Sequence, residues 1–90
     1  MYLVIMKYLL TKHAIKEMEL RGISVDMVKQ ILENPLQIVE EYGNKKAYQS
    51  IIDNNAEKKY LYRVIVDDSV EPLKVITVYK TSKIDKYWRE

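Results

Sequence analysis

The only histidine of the chain, His13, stands in helical register with a carboxylate and a guanidinium. His13, Glu17 and Arg21 are four residues apart, so on a helix they form one ridge. Histidine titrates close to neutral pH and transfers protons there, while an arginine beside it supplies a fixed positive charge. The alternative is a solvated face on which Glu17 pairs with Arg21 and His13 packs near the helix start.

Arg63 stands in the middle of the strongest strand pattern in the sequence. It lies between Tyr62 and Val64 in the run Lys58–Asp67. Burying an unpaired charge costs several kcal/mol, so an arginine at this position predicts a partner. That partner is either a carboxylate of the same chain or a phosphate that reaches an open, concave surface.

Tyrosine dominates the aromatic side chains, with eight tyrosines, one tryptophan and no phenylalanine. Tyrosine combines an apolar ring with a polar end, which suits half-buried sheets, partner interfaces and stacking on nucleobases. We expect Tyr48, Tyr79 and Tyr87 to lie near a site. Tyr60 and Tyr62 are expected to pack within a strand.

The composition indicates one globular domain, 1–90, because 48% of the residues are hydrophobic and 31% are charged. The absence of cysteine excludes disulfides, thiolate metal ligands and a cysteine nucleophile. A single histidine leaves little material for a zinc site, so we expect no metal and no cofactor. These features, with the many lysines, suit a reducing cytoplasm. The apolar start, 1–10, is too short for a membrane span and predicts a buried strand or an N-terminal extension.

Charge is unevenly distributed along a chain whose net charge is only +2. Residues 1–16 and 72–90 each carry a net charge of +3, whereas residues 17–71 carry −4. If the two ends meet in the fold, they form a basic patch of the kind that binds phosphate-bearing partners. A solvated surface is the alternative.

Hydrophobic periodicity places two helices before the strands. Thr11 and Ser24 are N-cap residues, Gly22 ends the first helix, and Asn34 before Pro35 ends the second. Because only two or three residues connect them, the two helices are expected to form a hairpin over 12–34.

Alternating apolar and polar residues then predict antiparallel strands over 36–80, with Lys58–Asp67 in the centre. Gly43-Asn44 and Asp53-Asn54-Asn55 are turn signals between strands. The predicted fold class is α+β, an N-terminal helical hairpin packed on a twisted antiparallel sheet. Residues 81–90 are interpreted as a basic tail or a short docking helix. The predicted strands are Leu36–Tyr42, Lys45–Ile52, Lys58–Asp67 and Leu73–Lys80.

Several motifs resemble a family of small uncharacterised bacterial and archaeal proteins, over roughly residues 6–80. They are Leu10-Thr11-Lys12-His13-Ala14, Arg21-Gly22-Ile23-Ser24, Tyr62-Arg63-Val64-Ile65-Val66 and Val75-Ile76-Thr77-Val78-Tyr79, with Val28 and Pro35 between them. That family, a domain of unknown function, looks like a branch of the RelE/ParE toxin superfamily. The family pattern often has a basic residue where this chain has Glu17.

The resemblance implies a RelE/ParE-like fold and two functions. RelE-like proteins are ribonucleases that cut mRNA, often on the ribosome, and are neutralised by an antitoxin encoded beside them. ParE-like proteins share the fold but target gyrase, so the fold alone does not select the activity. The alternative to an enzyme is therefore a non-catalytic protein-binding module, either an inhibitor of a partner or an inactive toxin relative.

If the protein is a metal-independent endoribonuclease, we expect His13 and Tyr79 to transfer protons. We expect Arg21 and Arg63 to hold the scissile phosphate. The expected partners are RNA or the ribosome and a cognate antitoxin, and no membrane. The side chains expected to contact RNA are Lys12, Lys16, Lys80, Lys83 and Tyr87.

Overall fold

The computed structural model describes residues 8–53 and 58–89, so the interpretations of residues 1–7 and of Asn54-Asn55 lie outside the described residues. The first described element is a strand, Tyr8–Leu10, at the end of the apolar start 1–10. No helix in these two ranges has the length and apolar character needed to cross a membrane. The elements of the two ranges are β1 (Tyr8–Leu10), α1 (Lys12–Arg21), α2 (Val25–Glu33), β2 (Gln37–Glu40), β3 (Lys45–Asp53), β4 (Lys59–Asp67), β5 (Leu73–Thr81) and α3 (Ile84–Tyr87).

The strands form one mixed sheet in the order β1-β5-β4-β3-β2, with β4 in the middle. β2, β3, β4 and β5 pair antiparallel, but β1 lies parallel to β5, with Tyr8 opposite Leu73 and Leu10 opposite Val75. The predicted antiparallel sheet is therefore wrong. The error has a physical reason, because the alternation of apolar residues records which face is buried but not the direction of the neighbouring strand.

The predicted N-terminal helical hairpin is also wrong. α1 packs mainly on β5, whereas α2 packs on β3 and β4. Each helix therefore buries its apolar residues on a different part of the sheet, and the sheet, not the neighbouring helix, is its packing partner. A short connection therefore did not imply helix-on-helix packing. The buried helical residues are Ala14 and Met18 in α1 and Val28, Ile31 and Leu32 in α2.

Thr11 fixes the start of α1 and also attaches it to the sheet. Its hydroxyl accepts a hydrogen bond from the backbone N–H of Ala14 at 3.0 Å, which confirms the predicted N-cap. The same hydroxyl donates to the carbonyl of Ile76 at 3.0 Å, and the Thr11 N–H donates to the carbonyl of Val75 at 3.2 Å. One residue thus connects β1, α1 and β5.

Gly22 and Ser24 define the sharp turn between the helices, as predicted. Gly22 has a φ of +64°, in the left-handed region that glycine adopts without a steric penalty. The N–H of Ile23 then donates to the carbonyl of Met18 at 2.9 Å, and Ile23 is buried. Ser24 caps α2 by accepting a hydrogen bond from the N–H of Met27 at 3.1 Å.

The hydrophobic core lies between the two helices and one face of the sheet. Alternate residues of β4 point into it, so the residues between them point to the other face. That second face is where the polar side chains described below collect. The buried core residues are Ala14, Met18, Ile23, Val28, Ile31, Leu32, Tyr62, Val64, Val66, Val75 and Val78.

A matched pair of leucines tests this placement of the core. Leu32 of α2 is 1% exposed and Leu20 of α1 is 70% exposed. We expect Leu32→Ala to lower the free energy of unfolding by about 2–5 kcal/mol, because it leaves a cavity under the helix. Leu20→Ala should change it by no more than about 0.5 kcal/mol. Urea unfolding measures both, and equal losses would contradict the core assignment.

Candidate functional site

A row of polar side chains crosses the sheet on the face opposite α1 and α2. The strand register places Gln37 of β2 opposite Gln49 of β3, Gln49 opposite Arg63 of β4, and Arg63 opposite Tyr79 of β5. Directly opposed residues project from the same face of a sheet. Val64, the neighbour of Arg63, points into the helix-covered core, so Arg63 and the residues in register with it lie on the other face. We call Gln37, Gln49, Arg63 and Tyr79 the polar row.

Arg63 is the centre of the polar row and is only 2% exposed. Its Nε donates to Gln49 Oε1 at 2.7 Å, and its Nη1 donates to the Tyr79 hydroxyl at 2.6 Å. Its Nη2 donates to a carboxylate oxygen of Glu41 at 3.1 Å. The chain therefore supplies the carboxylate partner that was one of the two alternatives for Arg63. Glu41 follows β2 directly, and its side chain is 28% exposed.

The end of the chain covers Arg63. We call residues 84–89, which comprise α3 and the two residues after it, the C-terminal segment. The Tyr87 ring centre lies 4.4 Å from the guanidinium carbon of Arg63, and the same ring meets Tyr79 edge to face at a centroid distance of 6.2 Å. These contacts combine cation–π and aromatic packing over a buried charge.

The two glutamines of the polar row hold the backbone of this segment. Gln49 Nε2 donates to the carbonyl of Tyr87 at 3.3 Å and to Gln37 Oε1 at 2.7 Å. The Gln37 amide makes a reciprocal pair with Arg89: Oε1 accepts from the Arg89 N–H at 3.1 Å, and Nε2 donates to the Arg89 carbonyl. The expected tail is therefore a docked segment with one helical turn.

Tyr79 keeps its proton in this environment. Burial raises the pKa of its hydroxyl above the ordinary value, and the hydrogen bond and charge of Arg63 oppose that shift. A phenol with a raised pKa is protonated throughout the neutral range. Tyr79 can therefore donate a proton to a neighbouring oxygen.

Arg63, Tyr79 and Glu41 form a cluster, in which the phenol and the carboxylate both contact one guanidinium. Arg63 stabilises negative charge, Tyr79 donates a proton, and Glu41 accepts one. Within residues 8–53 and 58–89, no three His, Cys, Asp or Glu side chains come close enough to hold a metal ion. The chemistry that the arrangement offers is acid–base catalysis beside an oxyanion.

The structure does not bring the other two expected catalytic residues to this cluster. His13 and Arg21 lie on α1, which packs on the face of the sheet opposite Arg63 and Tyr79. Both are exposed, and Arg21 pairs with Glu17 through Nη2 at 2.9 Å and Nε at 3.1 Å. The solvated ridge considered as an alternative is the arrangement found.

Three of the expected RNA-contacting residues lie on the helix-covered side of the sheet. Lys12 and Lys16 are exposed on α1. Lys80 is opposite Tyr62 in the strand register, and its ammonium lies 5.8 Å from the Tyr62 ring centre and 5.3 Å from that of Tyr60. Tyr60 and Tyr62, which were expected to pack within a strand, lie on the core-facing side of β4.

The remaining expected residues are separated from these three. Lys83 is exposed just before α3, and Tyr87 lies on the second face over Arg63. Tyr48, also expected near a site, packs against the helix-covered core instead. The five side chains expected to contact RNA are therefore divided between two faces.

Sequence reasoning missed Glu41, Gln37 and Gln49. Gln49 carries the same signal that singled out Arg63, because it is a polar residue inside a strand pattern, and it is fully buried. An amide inside a strand pattern is a weaker anomaly than a charge, so this signal alone does not single out Gln49. Glu41 has no sequence signal of its own, because it contacts Arg63 only once the register between β2, β3 and β4 is set.

The contacts of Arg63 predict its effect on stability. Arg63→Met removes the charge at similar length and leaves the buried Gln49 oxygen and the Tyr79 hydroxyl without their donor. We expect a loss of about 2–5 kcal/mol in the free energy of unfolding. Glu41→Gln keeps the shape of a partly exposed partner and should cost about 1 kcal/mol or less. Chemical denaturation gives both values, and a neutral Arg63→Met variant would show that the polar row does not stabilise the fold.

Comparison with known proteins places this cluster inside a family domain. Residues 10–80 match the family described as Domain of unknown function (DUF4258). The matched stretch holds the whole polar row and Glu41 and ends before the C-terminal segment. No curated protein and no solved structure matches the chain. The expected domain of unknown function is confirmed, the relationship to RelE/ParE toxins stays a prediction, and the protein belongs to the DUF4258 family.

Proposed function

We propose that the protein is a metal-independent endoribonuclease that cuts mRNA as the toxin of a toxin–antitoxin pair. The observation that carries the proposal is the convergence of Arg63, Tyr79 and Glu41. The guanidinium lies 2.6 Å from a phenol oxygen and 3.1 Å from a carboxylate oxygen on one face of the sheet. The resemblance of the sequence motifs to the RelE/ParE superfamily supports RNA as the substrate class and an antitoxin as the partner.

RNA needs few groups from such an enzyme, because its own 2′-hydroxyl is the nucleophile. A base takes the proton of the 2′-hydroxyl, the freed oxygen attacks the adjacent phosphorus, and the bond from phosphorus to the 5′ oxygen breaks. The departing 5′ oxygen takes up a proton from an acid. The products are a 2′,3′-cyclic phosphate and a 5′-hydroxyl, and a nearby cation stabilises the charge on the phosphorane.

The cluster supplies one side chain for each of these roles. Arg63 contacts the scissile phosphate, since a planar guanidinium fork meets two oxygens at once. Tyr79 is the acid, because its hydroxyl carries a proton at neutral pH and lies 2.6 Å from Arg63 Nη1. Glu41 is the base in place of His13, which lies on the other side of the sheet. Because Arg63 is almost fully covered, the C-terminal segment must move before RNA reaches it.

Cleavage of a defined mRNA by the purified protein tests these roles. We expect cleavage in EDTA that leaves 2′,3′-cyclic phosphate ends. Tyr79→Phe and Glu41→Gln should each lower the rate by about a hundredfold, the range for loss of an acid or base. Arg63→Lys should cost a similar factor, because the ammonium keeps the charge but loses the fork.

His13→Ala is the discriminating variant, because the assignment from sequence expects a comparable loss and the assignment from geometry expects none. Circular dichroism must show each variant folded. Cleavage that requires a metal ion would end the proposal. Toxicity on expression without RNA cleavage would favour the alternative, a protein-binding module that inhibits a partner.

RNA binding should also show a steep dependence on salt. Each phosphate contact with single-stranded RNA contributes about −0.7 to the slope of log K against log salt, because counterions are released. We expect Lys83→Gln to reduce that slope by about one such contact, because Lys83 is exposed just before α3 and is the lysine of the expected set that does not lie on the helix-covered side. Lys29→Gln is the matched control, because Lys29 is an exposed lysine of α2 outside the expected RNA-contacting set. A slope near zero in the unmodified protein would remove RNA as the partner.

A further inference from the structure

The ring of Tyr87 lies where a nucleobase would stack on Arg63. Its centre is 4.4 Å from the guanidinium carbon, a distance at which an aromatic ring contacts the face of the cation. Bases of single-stranded RNA stack on arginine planes and tyrosine rings in the same manner. The edge-to-face contact with Tyr79 gives this position a second aromatic wall.

The Gln37 amide faces a hydrogen-bonding pattern that nucleobases also present. The amide donates to the Arg89 carbonyl and accepts from the Arg89 N–H. The Arg89 backbone thus presents a hydrogen-bond acceptor next to a donor. The edge of a base offers the same neighbouring pair, and glutamine pairs with it through two hydrogen bonds. Gln49 fixes this orientation by donating from Nε2 to Gln37 Oε1 at 2.7 Å.

The C-terminal segment is held by polar and ring contacts and not by buried apolar side chains. α3 is a single turn, has no side-chain cap, and contains no buried residue. Segments with few buried contacts open locally at low free energy. The covered face lies inside the family match of residues 10–80, and the segment lies outside it.

We propose that the face formed by Gln37, Gln49, Arg63 and Tyr79 is a binding site for one nucleotide of single-stranded RNA, and that the C-terminal segment occupies it as an intramolecular mimic. Tyr87 takes the place of the base that stacks on Arg63. The N–H and carbonyl of Arg89 take the place of a base edge at Gln37. This inference rests on the proposed function and names the site where its substrate binds.

This proposal gives Tyr87 the opposite role to the one expected from the sequence, which was to contact RNA. A tyrosine that stacks on RNA strengthens binding, so its removal weakens binding. A tyrosine that occupies the site of a base competes with RNA, so its removal strengthens binding. When only a fraction of molecules is open, the apparent affinity falls by that fraction, and an opening variant restores it.

The test uses the full chain and fluorescein-labelled 2′-O-methyl oligonucleotides of A, C, G and U, which lack the nucleophilic hydroxyl and are not cut. Fluorescence anisotropy measures binding. We expect Tyr87→Ala to bind about tenfold more tightly than the unmodified protein. Tyr42→Ala is the matched control, because Tyr42 is a tyrosine that is 93% exposed at the β2–β3 turn, and its affinity should be unchanged.

A second variant opens the segment without touching the aromatic contact. Arg89→Pro removes the N–H that donates to Gln37, and Trp88, with φ −73° and ψ 133°, already has the backbone that precedes proline. It also removes a positive charge, so tighter binding cannot come from electrostatics. Adding Gln37→Leu to Tyr87→Ala should reduce the differences in affinity among the four bases.

The outcomes separate this inference from the proposed function. Weaker or unchanged binding by Tyr87→Ala and Arg89→Pro, with folding intact, would overturn the mimic while RNA binding by the unmodified protein stands. The absence of RNA binding in every variant would overturn both. If Tyr87→Ala does not fold, Arg89→Pro alone decides the question.

Discussion

The second face of the sheet is organised by the need to satisfy a guanidinium buried in its middle strand. An arginine that is cut off from water requires partners for its N–H groups and its charge. Gln49, Tyr79 and Glu41 provide them, and each comes from a different segment of the chain. The register of these strands and the docking of Tyr87 over the cation bring those partners to Arg63 and cover its charge.

Local features of the fold were predictable from the sequence because they depend on neighbouring residues. The Thr11 and Ser24 caps and the Gly22 turn each follow from one residue and its immediate context. The parallel pairing of β1 with β5 was not predictable, because it joins residues about 65 positions apart. The predicted helical hairpin was wrong for the same reason, because α1 packs on β5 and α2 on β3 and β4, through residues that are distant in sequence.

The sequence predicted two residues of the candidate site, Arg63 and Tyr79, but not Glu41 or the two glutamines. Arg63 was found because a charge in an apolar strand is costly wherever it lies. Tyr79 is indicated by the tyrosine-rich composition and by the resemblance. His13 and Arg21 were grouped with them by residue type, which carries no information on the face of the sheet. Glu41 and the two glutamines became visible only once the strands were aligned.

The bonds of Thr11 to β5 have a consequence for the order in which the chain folds during its synthesis. Thr11 hydrogen-bonds to the carbonyl of Ile76, so β1 and α1 emerge from the ribosome well before their partner strand exists. At roughly 5–20 residues per second, translation of the intervening chain takes about 3–13 s. The β2–β3 and β3–β4 pairs join residues that are closer in sequence and can form within that time, whereas the apolar side of α1 has no β5 to pack on. β1 and α1 are therefore synthesised well before β5, the strand on which both of them depend.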